Sequence, residues 1–261
     1  MFAEAGWHTV CVRHEALEWR DDTLWADAHE LDAFKVIWPV GFGPAEGYAD
    51  RVQWLNLCPA LITPMHAWTF LHGKAAWLGE GPETVMSVHA ETLARAFLQR
   101  GGRWILKPNA GSFGRDVQEI SDTQMIHDIV ASRTPQSWLL QRYIDAIAKG
   151  ETRTLVCADT VLGSYLRVPR NGFHANLTQG ADAQPTVLSK AETSIVERVH
   201  QRLRSAGVGF AAIDTAGGYL VEVNVANPGG IRTLETLYEC DLTETLVGAV
   251  TRRAATQSAP T

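Results

Sequence analysis

Long apolar runs, a basic excess and paired cysteines are all missing from this 261-residue sequence. No stretch approaches the roughly 18–20 consecutive apolar residues that a membrane-spanning helix needs, and no charged segment leading into an apolar one opens the chain as a secretion signal would. Lys and Arg number 23 against 29 Asp and Glu, a formal net charge of -6, and beyond pairs such as Arg252–Arg253 there is no basic stripe. That balance argues against nucleic acid or an anionic membrane as the main partner. Cys11, Cys58, Cys157 and Cys240 stand singly with no CxxC spacing, so buried thiols in a reducing cytoplasm are expected rather than disulfides or a zinc site. The phosphate-binding GxxxxGK[ST] and dinucleotide-binding GxGxxG patterns are absent, as are internal repeats. The nine tryptophans, Trp7, Trp19 and Trp25 among them, form no periodic box and are expected to pack rather than to carry a cofactor.

What is present reads as alternating helices and strands. MFAEAGWHTV has a short helical pattern, DAFKVIWPV reads as a buried strand, EGYADRVQWLNL as a helix and CPALITP as a strand ending in a turn. A doubly wound unit normally opens on a strand; this one reads as opening inside a helix, as if shortened or continued upstream. From residue 66 the texture changes. SVHAETLARAFLQRGG is an amphipathic helix with glycines just past its end, WILKP a strand, NAGSFGRD a Gly-rich turn, VQEI a strand, and SDTQMIHDIVAS a Ser-capped helix. SWLLQRYI and the two halves of TRTLVCADTVLGSYLRVP read as strands. RNGFHANLTQGADAQPT is a polar loop too long to be a mere connector. SKAETSIVERVHQRLRSAG is a capped helix ending at Gly207. Two strands, two short helices and a loose tail, TRRAATQSAPT, complete the chain.

The segment GFAAIDTAGGYLVEVNVANPGG combines an apolar run with Asp214, Glu222 and Asn224. Ala216, Gly217 and Gly218 supply a permissive hairpin turn. Side chains alternate along a strand, so Glu222 and Asn224 share a face, and a turn near Gly218 sets Asp214 opposite Glu222 on that face. Two carboxylates and a carboxamide oxygen converging there call for a compensating cation, and hard oxygen ligands select Mg²⁺ or Mn²⁺. A second account needs no metal: Glu222 and Asn224 line a solvated strand face while Asp214 closes a turn. Lys107, at the end of WILKP, precedes a small-residue turn containing Gly111, Ser112 and Gly114, whose N–H groups would fold over a phosphate. Taken alone, such a turn between two strands is more often structural. Lys74 is by default a surface lysine. Arg153 and Arg167 lie in mostly apolar strands and need partners or a cleft, and an ion pair of Glu151 with Arg153 is the plain account.

In this order and at this spacing the residues resemble the ATP-grasp ligases, bacterial glutathione synthetase in particular, from about Lys74 to Val250. The resemblance implies an α/β (α+β) ATP-grasp fold: two α+β subdomains gripping ATP, over residues 66–143 and 144–253, behind a shortened substrate-binding α/β unit over 1–65 and before a loose tail over 254–261. It implies that Lys74, Lys107 and the 111–114 flap contact the nucleotide phosphates. Gln141, Arg142, Tyr143 and Ile144 would lie along the adenine-reading strand, with Glu151 near the ribose. Arg153, Arg167 and Asn176 would serve the transferred phosphoryl group, and Asp214, Glu222 and Asn224, spaced D-x7-E-x-N, would hold Mg²⁺ or Mn²⁺. The chain departs from the family in GSFGRD, in His174-Ala175 before ANLT, in ANPGGI, and in an N-terminal region about half the usual length. The implied reaction joins a carboxylate to an amine through an acyl phosphate, with small-molecule substrates and no covalent protein nucleophile. Homo-oligomerisation is left open, and the N-terminal departure leaves the substrates open as well. A natural-product ligase or cyclase, or a nucleotide-binding module without ligase activity, would share the same motifs.

Overall fold

Two aspartates with left-handed backbone, Asp21 (φ 52°) and Asp22 (φ 59°), turn β1 (Leu17–Arg20) into β2 (Thr23–Ala26), and β3 (His29–Glu30) completes a three-stranded antiparallel sheet. Consecutive positive φ angles match the twist of a two-residue hairpin, and a short polar side chain tolerates them. The computed structural model describes residues 1–109, 116–133, 136–170 and 180–257. The helix expected over MFAEAGWHTV does not form: residues 2–6 are turns, and Phe2 packs edge-on against Trp7 and Trp38. Nor do DAFKVIWPV and CPALITP become strands. They meet in one parallel bridge, Ile37 to Leu61, because Pro39, Pro59 and Pro64 lack the N–H groups a longer ladder needs. Helices α1 (Tyr48–Leu55) and α2 (Met65–His72) follow.

The next unit is a four-stranded antiparallel sheet. In chain order it comprises β4 (Thr84–Ser87), α3 (Ala90–Arg100), β5 (Trp104–Pro108), β6 (Gln118–Ile120), α4 (Thr123–Ala131) and β7 (Trp138–Arg142), with strand order β4-β7-β5-β6. Leu93 of α3 and Ile126 of α4 cover Trp104, Leu106, Trp138 and Leu140, all buried. The cap of α4 is Asp122 rather than the expected Ser121: Met125 N donates to Asp122 Oδ1 at 2.9 Å.

The largest sheet has five antiparallel strands in the order β10-β9-β8-β11-β12: β8 (Glu151–Cys157), β9 (Thr160–Val168), β10 (Asp182–Pro185), β11 (Phe210–Ala216) and β12 (Tyr219–Asn224). Its helices are α5 (Lys190–Ser205), α6 (Ile231–Tyr238) and α7 (Thr243–Gln257). The capping box expected for α5 is present at Ser189 and Glu192. Residues of α2 and α5 bury Val156, Ala211, Ile213 and Val223 on one face, while α6 and α7 bury Leu155, Cys157, Phe210 and Ala212 on the other. Each fully buried aliphatic side chain contributes roughly 1.5–3 kcal/mol, so this doubly covered sheet is the rigid base of the molecule. Helix α7 continues to Gln257, where a loose tail was expected from residue 251: Leu246, Ala249 and Val250 pack its first turns on the sheet, and beyond them Arg253 Nη2 donates to the Gly207 carbonyl at 2.7 Å.

Candidate active site

One row of side chains crosses the large sheet. Tyr165 on β9 pairs with Arg153 on β8, Arg153 with Asp214 on β11, and Asp214 with Glu222 on β12. Residues directly opposite in an antiparallel ladder project from the same face, so the register expected for Asp214 and Glu222 is present. Gly217 (φ 57°) and Gly218 (φ 80°) make the turn that sets it. A bulge between the Asp214 and Thr215 pairs skips Val221, which lets Leu220 and Val223 both reach the core beneath while Glu222 stays on the Asp214 face.

Asp214 is 1% exposed and holds two arginines. Arg153 Nε donates to Oδ1 at 2.8 Å and Nη2 to Oδ2 at 2.7 Å, while Arg167 Nη2 lies 2.8 Å from Oδ2. Burial pulls the Asp214 carboxyl upward, yet the charges of Arg153 and Arg167 outweigh it and hold it well below the usual range. For Arg153 the balance is reversed in sign: burial opposes its charge, and Asp214 more than restores it. Glu151 pairs with Arg167, its direct cross-strand partner, and not with Arg153, which is committed to Asp214. Among the described residues, Arg167 Nε is buried without a hydrogen-bond partner.

Beside this row, β12 and the turn after α2 face β5 and β7 across an open-sided cleft of about 360 Å³. Its polar lining is His72, Lys74, Lys107, Gln141 and Glu222. Lys74 is no surface lysine: its side chain is 13% exposed, and its Nζ sits 3.1 Å from Glu222 Oε1. Lys107 is 6% exposed. Burial first, and then the charge of Lys74, lower its pKa to about 8 against a partial offset from Glu222. Gln141 Nε2 donates to Thr84 Oγ1 at 2.8 Å at the cleft wall. Arg142, Tyr143 and Ile144 do not line this cleft. Arg142 stacks over Trp104 at 4.0 Å, Arg103 stacks over Tyr143 at 3.8 Å, and Ile144 packs beside Gly217. The backbone N–H groups of Arg142 and Tyr143 donate to the carbonyls of Glu83 and Arg103. Gly111, Ser112, Gly114 and Asn176 lie outside the described residues.

Asn224 Oδ1 accepts from Asn227 N at 3.0 Å, so each of Asp214, Glu222 and Asn224 has a protein partner. No cluster of three or more His, Cys, Asp or Glu suited to a metal occurs among the described residues. Of the three only Glu222 lines the cleft, with Asp214 1% exposed behind it and Asn224 outside the lining, so a cation here would meet the Glu222 carboxylate first and would need further oxygens from a ligand. That donor set is the one Mg²⁺ takes when it shares a site with phosphates, so the residues fit a hard divalent ion. His72 was not singled out from the sequence; its only signal there is its place two residues before Lys74, in FLHGK.

The profile of the prokaryotic glutathione synthetase ATP-grasp domain matches residues 75–239. The chain belongs to that family. The match runs from the cleft turn through α6 and includes Lys107, Arg153, Arg167, Asp214, Glu222 and Asn224, with Lys74 one residue outside it. The glutathione synthetase of Prochlorococcus marinus (strain MIT 9313) is 28% identical over 230 residues, covering 83% of this chain and 74% of that protein. The glutathione synthetase of Synechocystis sp. (strain ATCC 27184 / PCC 6803 / Kazusa) is 29% identical over 171 residues, covering 64% of this chain but only 53% of its own length. The chain thus spans about half of the one relative and three-quarters of the other. Among solved structures, a RimK domain ATP-grasp protein from Sphaerobacter thermophilus superposes with a TM-score of 0.65 at 19% identity, covering 97% of this chain and 91% of that one. The D-cycloserine synthetase DcsG superposes at 0.62 with 15% identity, covering 89% and 87%. These likenesses establish the ATP-grasp fold.

Gly230 closes the site from the α6 side. Its φ is 131°, and a Cβ there would lie 2.5 Å from Tyr165 Oη, the residue that flanks Arg153. Gly230→Ala is therefore expected to destabilise the protein by about 1–3 kcal/mol, as a shift in urea midpoint at unchanged slope would reveal.

Proposed function

We propose that the protein is an ADP-forming ligase that joins a carboxylate to an amine through an acyl phosphate, in the manner of glutathione synthetase. The observation that carries this reading is the placement of Lys74, Lys107 and Glu222 around one cleft between two sheets, next to the Arg153–Asp214–Arg167 cluster. Phosphoryl transfer needs positioning and charge compensation more than a protein nucleophile, and this wall provides both. The proposed division follows the sheets: residues 66–143 hold the nucleotide from the Lys107 side, 144–253 carry the acidic strands, and 1–65 lie toward the acceptor.

In this reading ATP lies in the cleft with its phosphates toward Lys74 and Lys107, and the segment from Gln141 to Glu151 borders its nucleoside. Of this segment only Gln141 lines the cleft, so in this reading Gln141 is the residue nearest the base, while Arg142, Tyr143 and Ile144 stand outside the lining. The unsatisfied Nε of Arg167 requires an acceptor, and a phosphoryl oxygen supplies one. Arg153 and Arg167 are thereby suited to stabilise oxygens that gain charge as the acyl phosphate forms and as the amine displaces phosphate. Asn176 and the 111–114 flap would complete the enclosure that keeps water from the acyl phosphate. Glu222 and Asn224, with Asp214 behind them, would hold Mg²⁺, which when bound neutralises phosphate charge. Asp214 uses three of its roughly four lone-pair sites on arginines, so its share in any cation is the smallest of the three.

The test is ADP release from Mg²⁺-ATP across amino-acid and dipeptide pairs, with product masses read for each active pair. Amide product with stoichiometric ADP supports the ligase, and glutathione itself appears only with γ-glutamylcysteine and glycine. Tight nucleotide binding with no ADP for any pair would leave a binding module instead.

Lys107 also dictates a pH dependence. Its charged form suits triphosphate, so apparent ATP affinity should weaken as pH rises through about 8, and Lys107→Met should flatten the profile in titration calorimetry. The ligand-free protein should behave oppositely. Between about 8 and the ordinary 10.5 the unfolded chain keeps a proton that the folded one has lost, so stability rises with pH across that window.

A further inference from the structure

The last residue of α2 touches the far end of the acidic strand. His72 Nδ1 accepts from both Val225 N, at 3.3 Å, and Ala226 N, at 3.4 Å. Two N–H groups converging on one ring nitrogen require that nitrogen to carry a lone pair, so the imidazole is neutral with its proton on Nε2. The carbonyl of Ala226 is held as well, accepting from Gly41 N at 2.7 Å. Phe42, next to Gly41, stacks edge-on against the His72 ring at 4.9 Å and against Trp68 at 4.6 Å. Two residues beyond His72, Lys74 grips Glu222. The stretch from Glu222 to Ala226 is therefore held at both ends by the α2 corner, with Asn224 between the two grips and its carboxamide on Asn227 N.

We propose that His72 is a positioning residue for the acidic strand: by accepting both amides beyond β12, its imidazole fixes where Glu222 faces the cleft and where Asn224 stands beside it. The proposal rests on the ligase reading above and adds to it a cleft-wall residue whose Nδ1 is engaged by the backbone of the chain itself. Its physical basis is that Val225 and Ala226 are buried, so their N–H groups lose their acceptor if the ring is removed, and the strand end must shift to find another. Outer partners that orient ligating side chains typically alter affinity or activity about 10–100-fold when removed.

The experiment compares His72→Leu, which removes the acceptor, with His72→Asn, whose Oδ1 falls near the position of Nδ1. Three quantities are read on the full chain: amide hydrogen exchange at Val225 and Ala226, Mn²⁺ binding in the presence of a non-hydrolysable ATP analogue, and the split of kcat against the KM for ATP. His72→Leu is expected to accelerate exchange at those two amides, to weaken Mn²⁺ binding about 10-fold or more, and to lower kcat while the KM for ATP stays within about threefold. His72→Asn is expected to recover most of each loss, which a merely space-filling ring would not allow. A folded His72→Leu protein with wild-type Mn²⁺ affinity and kcat overturns the proposal, as does an Asn variant no better than Leu. Wild-type protein that binds no Mn²⁺ with the analogue defeats the ligase reading and this proposal with it, whereas wild-type binding unchanged in the Leu variant defeats this proposal alone.

Discussion

Glu222→Gln is expected to cut Mg²⁺-dependent ADP formation by about 10²–10³-fold while leaving the fold intact. The substitution keeps the shape and an acceptor oxygen but removes the charge that faces Lys74 at 3.1 Å. Three consequences follow in the same cleft. Any divalent cation loses one of only two carboxylates that β11 and β12 offer. Lys74 loses its counter-charge, and the partial offset that Glu222 gives Lys107 disappears, so Lys107 gives up its proton more readily. Stability should move little, because the Glu222 side chain is 31% exposed and surface-side ion pairs contribute little. Steady-state ADP release beside a thermal melt checks both halves. Turnover near the wild-type rate in a folded variant would remove Glu222 from the chemistry.

Asp214→Ala should act in the opposite proportion, destroying stability along with activity. The cluster holds two carboxylates, Glu151 and Asp214, against two guanidinium groups, Arg153 and Arg167. Removing Asp214 leaves Arg153 buried with no carboxylate, and the cost of such a broken pair is about 3–5 kcal/mol, a large fraction of a domain's total stability. The exposed pair of Arg170 with Asp182 has similar distances, yet its loss should scarcely register, because water already solvates both groups. Urea unfolding of the two variants side by side measures the contrast. The same cluster sets the acid limit. Asp214's folded pKa lies below its ordinary 3.8, so its stabilisation is complete above that value and is lost as pH falls through about 2. Equal stability of Asp214→Ala and the wild type would mean that the arginines find new partners.

The hairpin carrying these acids was legible because everything that sets it is local. Residue alternation, a two-glycine turn and the count from Asp214 to Glu222 suffice to pair the two, and only the bulge that skips Val221 escaped. Strands β5, β7, β8 and β9 and the capped helix α5 were legible for the same reason. Of the N-terminal sixty residues, only the helix expected over EGYADRVQWLNL was, and it forms as α1. Their apolar runs suggested helix and strand, but prolines deny a ladder to Ile37 and Leu61, and the sheet that does form depends on left-handed backbone at Asp21 and Asp22.

By itself the sequence determined which acids share a face, since a strand's alternation needs no information from elsewhere. Only the tertiary structure decided that Arg167 pairs with Glu151 and Asp214, that Lys74 is enclosed against Glu222, and that His72 reaches past β12 to two backbone amides. The Arg153–Asp214 and His72–Val225 contacts join residues 61 and 153 positions apart. At such separations partner choice follows from how the sheets and helices pack, and a charge takes whichever counter-charge that packing brings within a few ångströms.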